Sequence, residues 1–135
     1  MILKEVKPLK RVLFICRNNS GRSQMAEAFL RNIYGEYYEV YSAGIEPREI
    51  NPLTIKVMEE IGINMEGHRP KSISEFQGEK FDIVVSVCED ACPAPPEAEE
   101  YIHVKFPDPK GSNIERFREI RDEIRRWIEK ELKPK

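Results

Sequence analysis

Residues 10–25 read KRVLFICRNNSGRSQM. Arg11-Val-Leu-Phe-Ile-Cys16 is a short, continuously apolar run of the kind that forms a strand buried on both faces. A polar loop follows, and beyond it Met25, Ala26, Phe29, Leu30 and Ile33 recur at helical spacing until Gly35 stops them. The strand ends in a thiol, and six residues later a guanidinium, Arg22, opens the helix.

Outward from this segment the pattern repeats. A second strand is expected around Tyr38–Ser42, ending at Ala43-Gly44. Asn51-Pro52 is a cap residue followed by proline in the first turn, and Ile55, Met58 and Ile61 then form one stripe closed by Gly62. Phe81-Asp-Ile-Val-Val-Ser-Val87 is the clearest strand and delivers Cys88, and a short strand is expected at Tyr101–Lys105. Ser112 and Glu115 match a capping box, after which Ile114, Phe117, Ile120, Ile124, Trp127 and Ile128 trace a long amphipathic helix. Alternating strands and helices predict an α/β chain, a doubly wound, mostly parallel sheet of four strands. Ligands of such sheets sit beyond the carboxyl ends of the strands, where Cys16, Ser42 and Cys88 all fall. Residues 1–135 are expected to form a single domain.

The loop suits an anion. An arc from strand to helix turns the N–H groups of Arg17, Asn18, Asn19, Ser20, Gly21 and Arg22 inward as a nest. The Arg22 fork can donate two parallel hydrogen bonds to a tetrahedral oxyanion. Cys16 at the bottom of the bowl faces the same N–H groups, the helix N-terminus and the guanidinium. All three favour the thiolate, so a lowered pKa is expected.

Composition bounds the alternatives. Apolar residues make up 40% and charged residues 34% of the 135, with a formal net charge of −2. No basic face points to nucleic acid. No segment approaches the roughly 20 apolar residues that cross a bilayer. The start, MILKEVKPLKR, offers no signal-peptide core, and a cytoplasmic monomer is the expectation. Three cysteines, Cys16, Cys88 and Cys92, suit reactive thiols in a reducing compartment rather than a disulfide scaffold.

Cys16-x5-Arg22-Ser23, with Gln24-Met-Ala-Glu27 behind it, resembles the signature of the low-molecular-weight tyrosine phosphatase fold, and within it the thioredoxin-coupled arsenate reductases. The likeness extends through Ser42-Ala-Gly44, Asn51-Pro52, Gly67-His68-Arg69, Val84-Val-Ser-Val-Cys88, Phe106-Pro-Asp-Pro109 and Phe117–Ile124. It implies that Cys16 is the nucleophile, Arg22 the oxyanion clamp and Ser23 a hydrogen-bond partner of the thiolate. It also makes Asp108, in its Asp-Pro, the general acid. The loop departs from the family pattern at Asn18 and Gly21, where Gly and Cys are common. Asn adopts a left-handed backbone at modest cost, so the bowl is expected to form.

The same resemblance gives Cys88 and Cys92 a relay. Cys88 attacks the Cys16 sulfur, Cys92 resolves that disulfide, and a thioredoxin-like protein reduces the final bridge without an organic cofactor. The family usually spaces these cysteines further apart. On one helical turn a Cys-x3-Cys pair has Cα atoms about 6 Å apart, within bridging range. The residues themselves leave other readings open: inert thiols, or a zinc site with His68 or His103. At the level of function they leave open a phosphomonoester hydrolase using Cys16, Arg22 and Asp108, or a non-catalytic oxyanion or redox sensor. His68 and Arg69 are read as surface or supporting residues. Some reductases of this group hold potassium near residues matching Asn19, Glu27 and Ser42. Lys71 corresponds to a carboxylate of that site, which implies that an ammonium replaces the cation.

Overall fold

The computed structural model describes residues 8–90, 92 and 94–134. Four strands, β1 (Lys10–Cys16), β2 (Tyr38–Gly44), β3 (Lys80–Ser86) and β4 (Glu97–His103), pair in parallel in the order β2-β1-β3-β4. Three helices join or follow them: α1 (Arg22–Tyr34), α2 (Pro52–Glu59) and α3 (Ile114–Glu131). β1 lies between two partners, which explains its unbroken apolar run: Val12 to Ile15 are wholly buried.

Alternation along β1 divides the core between two faces. Val12, Phe14 and Cys16 belong to the larger cluster, with Met25, Phe29 and Leu30 of α1, Val57 and Met58 of α2, and Phe117, Ile120, Ile124 and Ile128 of α3. Leu13 and Ile15 belong to a smaller cluster with Ala43, Phe81, Val84 and Phe76. A short 3-10 helix, Ile73–Phe76, contributes Phe76 to that second face. The larger cluster is the main stabilising element, since truncating a residue such as Phe29 to alanine costs about 3–5 kcal/mol.

Local signals place most boundaries. Gly35 caps α1. The Asn51 side chain accepts from the Leu53 N–H at 2.9 Å with Pro52 in the first turn of α2, and Gly62 turns the chain at φ 82°. Two boundaries differ from expectation. The cap of α3 is Asn113, whose side chain accepts from the Arg116 N–H at 3.2 Å, so Ser112 is not the cap. A capping box forms instead at Ser72 and Glu75, on the 3-10 helix. The fourth strand begins earlier than Tyr101, because Glu97 to Glu100 pair with β3 despite their charge, as an exposed edge permits.

The strand order makes the carboxyl ends of β1 and β3 a topological switch point. The Val87 N–H donates to the Ile15 oxygen at 2.9 Å, which carries the chain directly from β3 to Cys88 beside Cys16. The Phe106 N–H donates to the Val87 oxygen at 3.4 Å and brings the Asp108 loop to the same crevice. No helix among the described residues is long and apolar enough to cross a membrane.

Candidate active site

The loop between β1 and α1 is held from outside by its carbonyls. The oxygens of Cys16, Arg17, Asn18 and Ser20 accept from the N–H groups of Ile45, Glu46, Arg48 and Asn51 at 2.8–3.3 Å. With the carbonyls turned outward, the N–H groups face the bowl. Among the described residues, no backbone or side-chain oxygen takes a hydrogen bond from the N–H groups of residues 17–22. The Asn18 N–H points to the Cys16 sulfur. Unspent donors at a helix N-terminus are what an anion requires.

Asn19, not Asn18, takes the left-handed conformation, at φ 50°. Its fully buried side chain fixes the loop. Nδ2 donates to Ser23 Oγ (2.8 Å) and Ser42 Oγ (2.9 Å), while Oδ1 accepts from Gln24 Nε2 (3.0 Å) and the Lys71 N–H (2.9 Å). Ser23 is thus engaged by Asn19 within the loop. Gly44 lets the loop cross the end of β2: a Cβ there would lie 2.8 Å from Asn19 N, 2.9 Å from Asn18 C and 3.0 Å from Arg17 O.

A cavity of ≈ 340 Å³ opens over Cys16, lined by the loop, Arg22, Arg48, Asp108, Lys110, and the apolar Ile50, Pro52 and Phe117. Arg22 is only 5% exposed. Its Nη1 donates to the Phe106 oxygen at 2.9 Å and to both Glu89 oxygens at 3.1 Å. Asp108 Oδ2 stands 3.6 Å from Nη2, and its Oδ1 accepts from the Lys110 N–H at 3.0 Å, which closes the Asp-Pro turn.

Cys16 and Cys88, side by side at the ends of β1 and β3, shift each other's acidity in opposite directions. The Cys88 thiol is lowered to about 6, chiefly by the hydrogen bond from Cys16, then by the Ser86 hydroxyl and Arg22, against burial. The Cys16 thiol is raised, chiefly by that same bond and by burial, although Arg22 and the Asn18 N–H pull it down as expected. The two thiols are coupled, with Cys88 the more acidic and Cys16 the less acidic of the pair. The expectation of a lowered Cys16 pKa is not met: Cys88 and burial outweigh Arg22 and the Asn18 N–H, and Cys88 is the thiol that is lowered.

Cys92 lies elsewhere. Cys88 packs with the larger cluster, whereas Cys92 packs against the smaller one, beside Val84 and in a cavity of ≈ 200 Å³ with Tyr101 and His103. Residues 88–90 form a bend, so Cys88 does not begin a helical turn that carries both thiols. All three cysteines are free. His103 Nε2 meets the Cys88 backbone oxygen at 2.9 Å, and His68 Nδ1 meets Gln24 Oε1 at 3.0 Å. His68 and Arg69 support the loop through Gln24, which also donates to the Arg69 oxygen at 3.0 Å.

The residues matching a potassium site are already satisfied. Ser42 Oγ donates to Glu27 Oε1, Arg31 Nη1 pairs with Glu27 Oε2 at 2.7 Å, and Lys71 Nζ stands 3.7 Å from Glu27 Oε1. Burial lowers the Lys71 pKa, with Glu27 opposing. An ammonium beside Glu27 repels a further cation, so these residues do not fit potassium.

Two contacts had no signal in the sequence: Glu89, which grips Arg22 across 67 residues, and the Phe106 oxygen. Only a fold that joins the ends of β1, β3 and β4 brings them together.

Residues 11–133 match the family model described as low molecular weight phosphotyrosine protein phosphatase. The chain is 44% identical over 123 residues to arsenate reductase 1 of Staphylococcus epidermidis, covering 89% of this chain and 93% of that protein. The fold superposes on an arsenate reductase in the phosphate binding state with a TM-score of 0.84 at 34% identity, covering 92% and 97% of the two chains. A thioredoxin-dependent arsenate reductase of Corynebacterium glutamicum gives 0.69 at 34% identity, covering 96% of this chain and 66% of that one.

Proposed function

The chain belongs to the low molecular weight phosphotyrosine protein phosphatase family, and we propose that within it the protein reduces arsenate to arsenite. The oxyanion sits in the nest of residues 17–22, with Arg22 donating from its free edge. Cys16 passes its proton to Cys88, the more acidic thiol, and attacks arsenic as the thiolate, favoured by Arg22 and the Asn18 N–H. One arsenate oxygen leaves as water, and Asp108 supplies a proton to it. Ser23 acts through Asn19, whose Nδ2 donates to its Oγ at 2.8 Å, to hold the loop around the thiolate.

Cys88 then gives its proton to an oxygen of the departing arsenic group and attacks the Cys16 sulfur as the thiolate. The S–S bond forms as the S–As bond breaks, and its electron pair stays on arsenic, which leaves as arsenite. Cys92 next attacks Cys88 and frees Cys16. A thioredoxin-like dithiol protein reduces the Cys88–Cys92 bridge by exchange and is oxidised in turn. The smaller cluster, where Cys92 is partly exposed, is the face such a partner meets.

The observation that carries the reading is the placement of a second buried thiol, Cys88, at the end of β3 next to the end of β1 that carries Cys16, fixed by the Val87 N–H to Ile15 oxygen bond at 2.9 Å. A second thiol held beside the nucleophile serves a disulfide step and has no use in phosphomonoester hydrolysis. The Lys110-Gly111 sequence after Asp108-Pro109 likewise offers no aromatic platform for a phosphotyrosine ring. The test is arsenite production with a thioredoxin system, beside hydrolysis of a generic aryl phosphate. Multiple turnovers of arsenate are expected, with little hydrolysis. Efficient hydrolysis without arsenite would make the protein a phosphatase.

A further inference from the structure

Arg22 is gripped at one corner by the turn that carries Cys88. Nη1 spends one N–H on the Phe106 oxygen and shares the other between the two Glu89 oxygens, each at 3.1 Å. Among the described residues no hydrogen bond is donated by Nε or Nη2, and Asp108 Oδ2 is 3.6 Å from Nη2. That edge of the fork is left for the cavity over Cys16. A long side chain held in this way has already lost its rotamer freedom, so an oxyanion need not order it on binding.

Glu89 follows Cys88 directly. The Cys88 turn is fastened by Ser86 Oγ donating to the Asp90 oxygen (3.4 Å) and by His103 Nε2 at the Cys88 oxygen (2.9 Å). Cys88 and Cys92 are free thiols that pack against different clusters, and bonding them pulls on the turn that carries Glu89.

We propose that Glu89 is a positioning residue that fixes Arg22 for oxyanion binding while Cys88 is reduced and releases it when the Cys88–Cys92 bridge forms. The reduced protein then binds the oxyanion more tightly than the oxidised one, and by linkage a bound oxyanion favours the reduced thiols. The oxidised half of this inference rests on the relay described above. Charge alone predicts the opposite effect of Glu89, because a carboxylate beside an anion site repels the anion. The sign of the change on its removal therefore separates positioning from repulsion.

The experiment is calorimetric titration of inorganic phosphate into reduced wild type, Glu89→Ala and Glu89→Gln, with thermal melts to verify folding. The Glu89 side chain is 46% exposed, so both variants should fold. Phosphate should bind Glu89→Ala about three- to tenfold more weakly than wild type, while Glu89→Gln, which keeps an acceptor for Nη1, stays near wild type. The same titrations follow oxidation of the Cys88–Cys92 pair by diamide, which takes two hydrogens from the thiols and needs no arsenate chemistry. Oxidation should weaken phosphate binding in wild type and much less in Glu89→Ala. Equal or tighter binding by reduced Glu89→Ala overturns the positioning role. An equal loss in both proteins, or no Cys88–Cys92 bridge with diamide, overturns the redox coupling. Phosphate binding to no reduced form would instead refute the oxyanion loop and, with it, the proposed function.

Discussion

Replacing Gly44 by alanine puts a methyl group 2.8 Å from Asn19 N, 2.9 Å from Asn18 C and 3.0 Å from Arg17 O. All three are backbone atoms of the oxyanion loop, so no rotamer change relieves the contact. Reopening the closest to an ordinary 3.4 Å moves the loop by about 0.6 Å. Overpacking of this kind costs about 1–3 kcal/mol of stability. A misplacement near 1 Å at a reacting centre costs on the order of 100-fold in rate, so kcat/KM for arsenate should fall about 10- to 100-fold. The sheet should persist, because Gly44 ends β2 and its neighbour Ala43 stays buried. Steady-state arsenate reduction, phosphate titration and a thermal melt together test this. A Gly44→Ala protein with wild-type phosphate affinity and rate would refute the argument that the loop is shaped by its approach to β2.

Three further outcomes follow from the same site. Arg22→Lys should fold yet lose roughly 100-fold or more in kcat/KM, since a point charge cannot replace the two-pronged edge; near-normal kinetics would remove Arg22 from the site. Asp108→Asn should slow the first turnover about 100-fold with phosphate binding largely intact, because it removes proton delivery; an unchanged rate from acid to neutral pH would make the Asp-Pro only a turn. The Cys16–Cys88 pair holds its negative charge above about pH 6 and loses it below, as both thiols protonate. Single-turnover arsenate reduction should therefore fall about tenfold per unit below that point, read beside the ultraviolet absorbance of the thiolate; a rate flat to pH 5 or below would contradict the shared charge.

The fold was legible where one physical signal dominated. The unbroken apolar run of β1, the helical spacing of Met25, Phe29 and Leu30, and the Asn51-Pro52 start each survive in the structure. The convergence of Cys16 and Cys88 followed from strand ends alone. β4 was shifted because the first half of this edge strand, Glu97–Glu100, is mostly acidic and carries no strand pattern of its own, so its pairing is decided by β3. Neighbouring residues of one chemical type also hid the answer. Asn113 beside Ser112 can cap α3, and Asn19 beside Asn18 can take the left-handed turn, so the choice lay with the tertiary contacts of each side chain. The acidity of Cys16 depends on Cys88, 72 positions away. Local sequence records Arg22 and the loop N–H groups but carries no trace of that coupling or of Glu89.

The claim that most needs testing is the passage of oxidation through three thiols in order. Cys92→Ser given one equivalent of arsenate, without reductant, isolates it, with peptide mass spectrometry identifying the bridges and arsenite measured alongside. The account predicts one arsenite per protein and a stalled Cys16–Cys88 disulfide, because those two sulfurs suffice to expel arsenite and no third thiol remains. Cys88→Ser in the same assay should release no arsenite. Sustained turnover by Cys92→Ser with reductant, or the absence of any Cys16–Cys88 bridge, would contradict the relay and leave hydrolysis as the better account of the site.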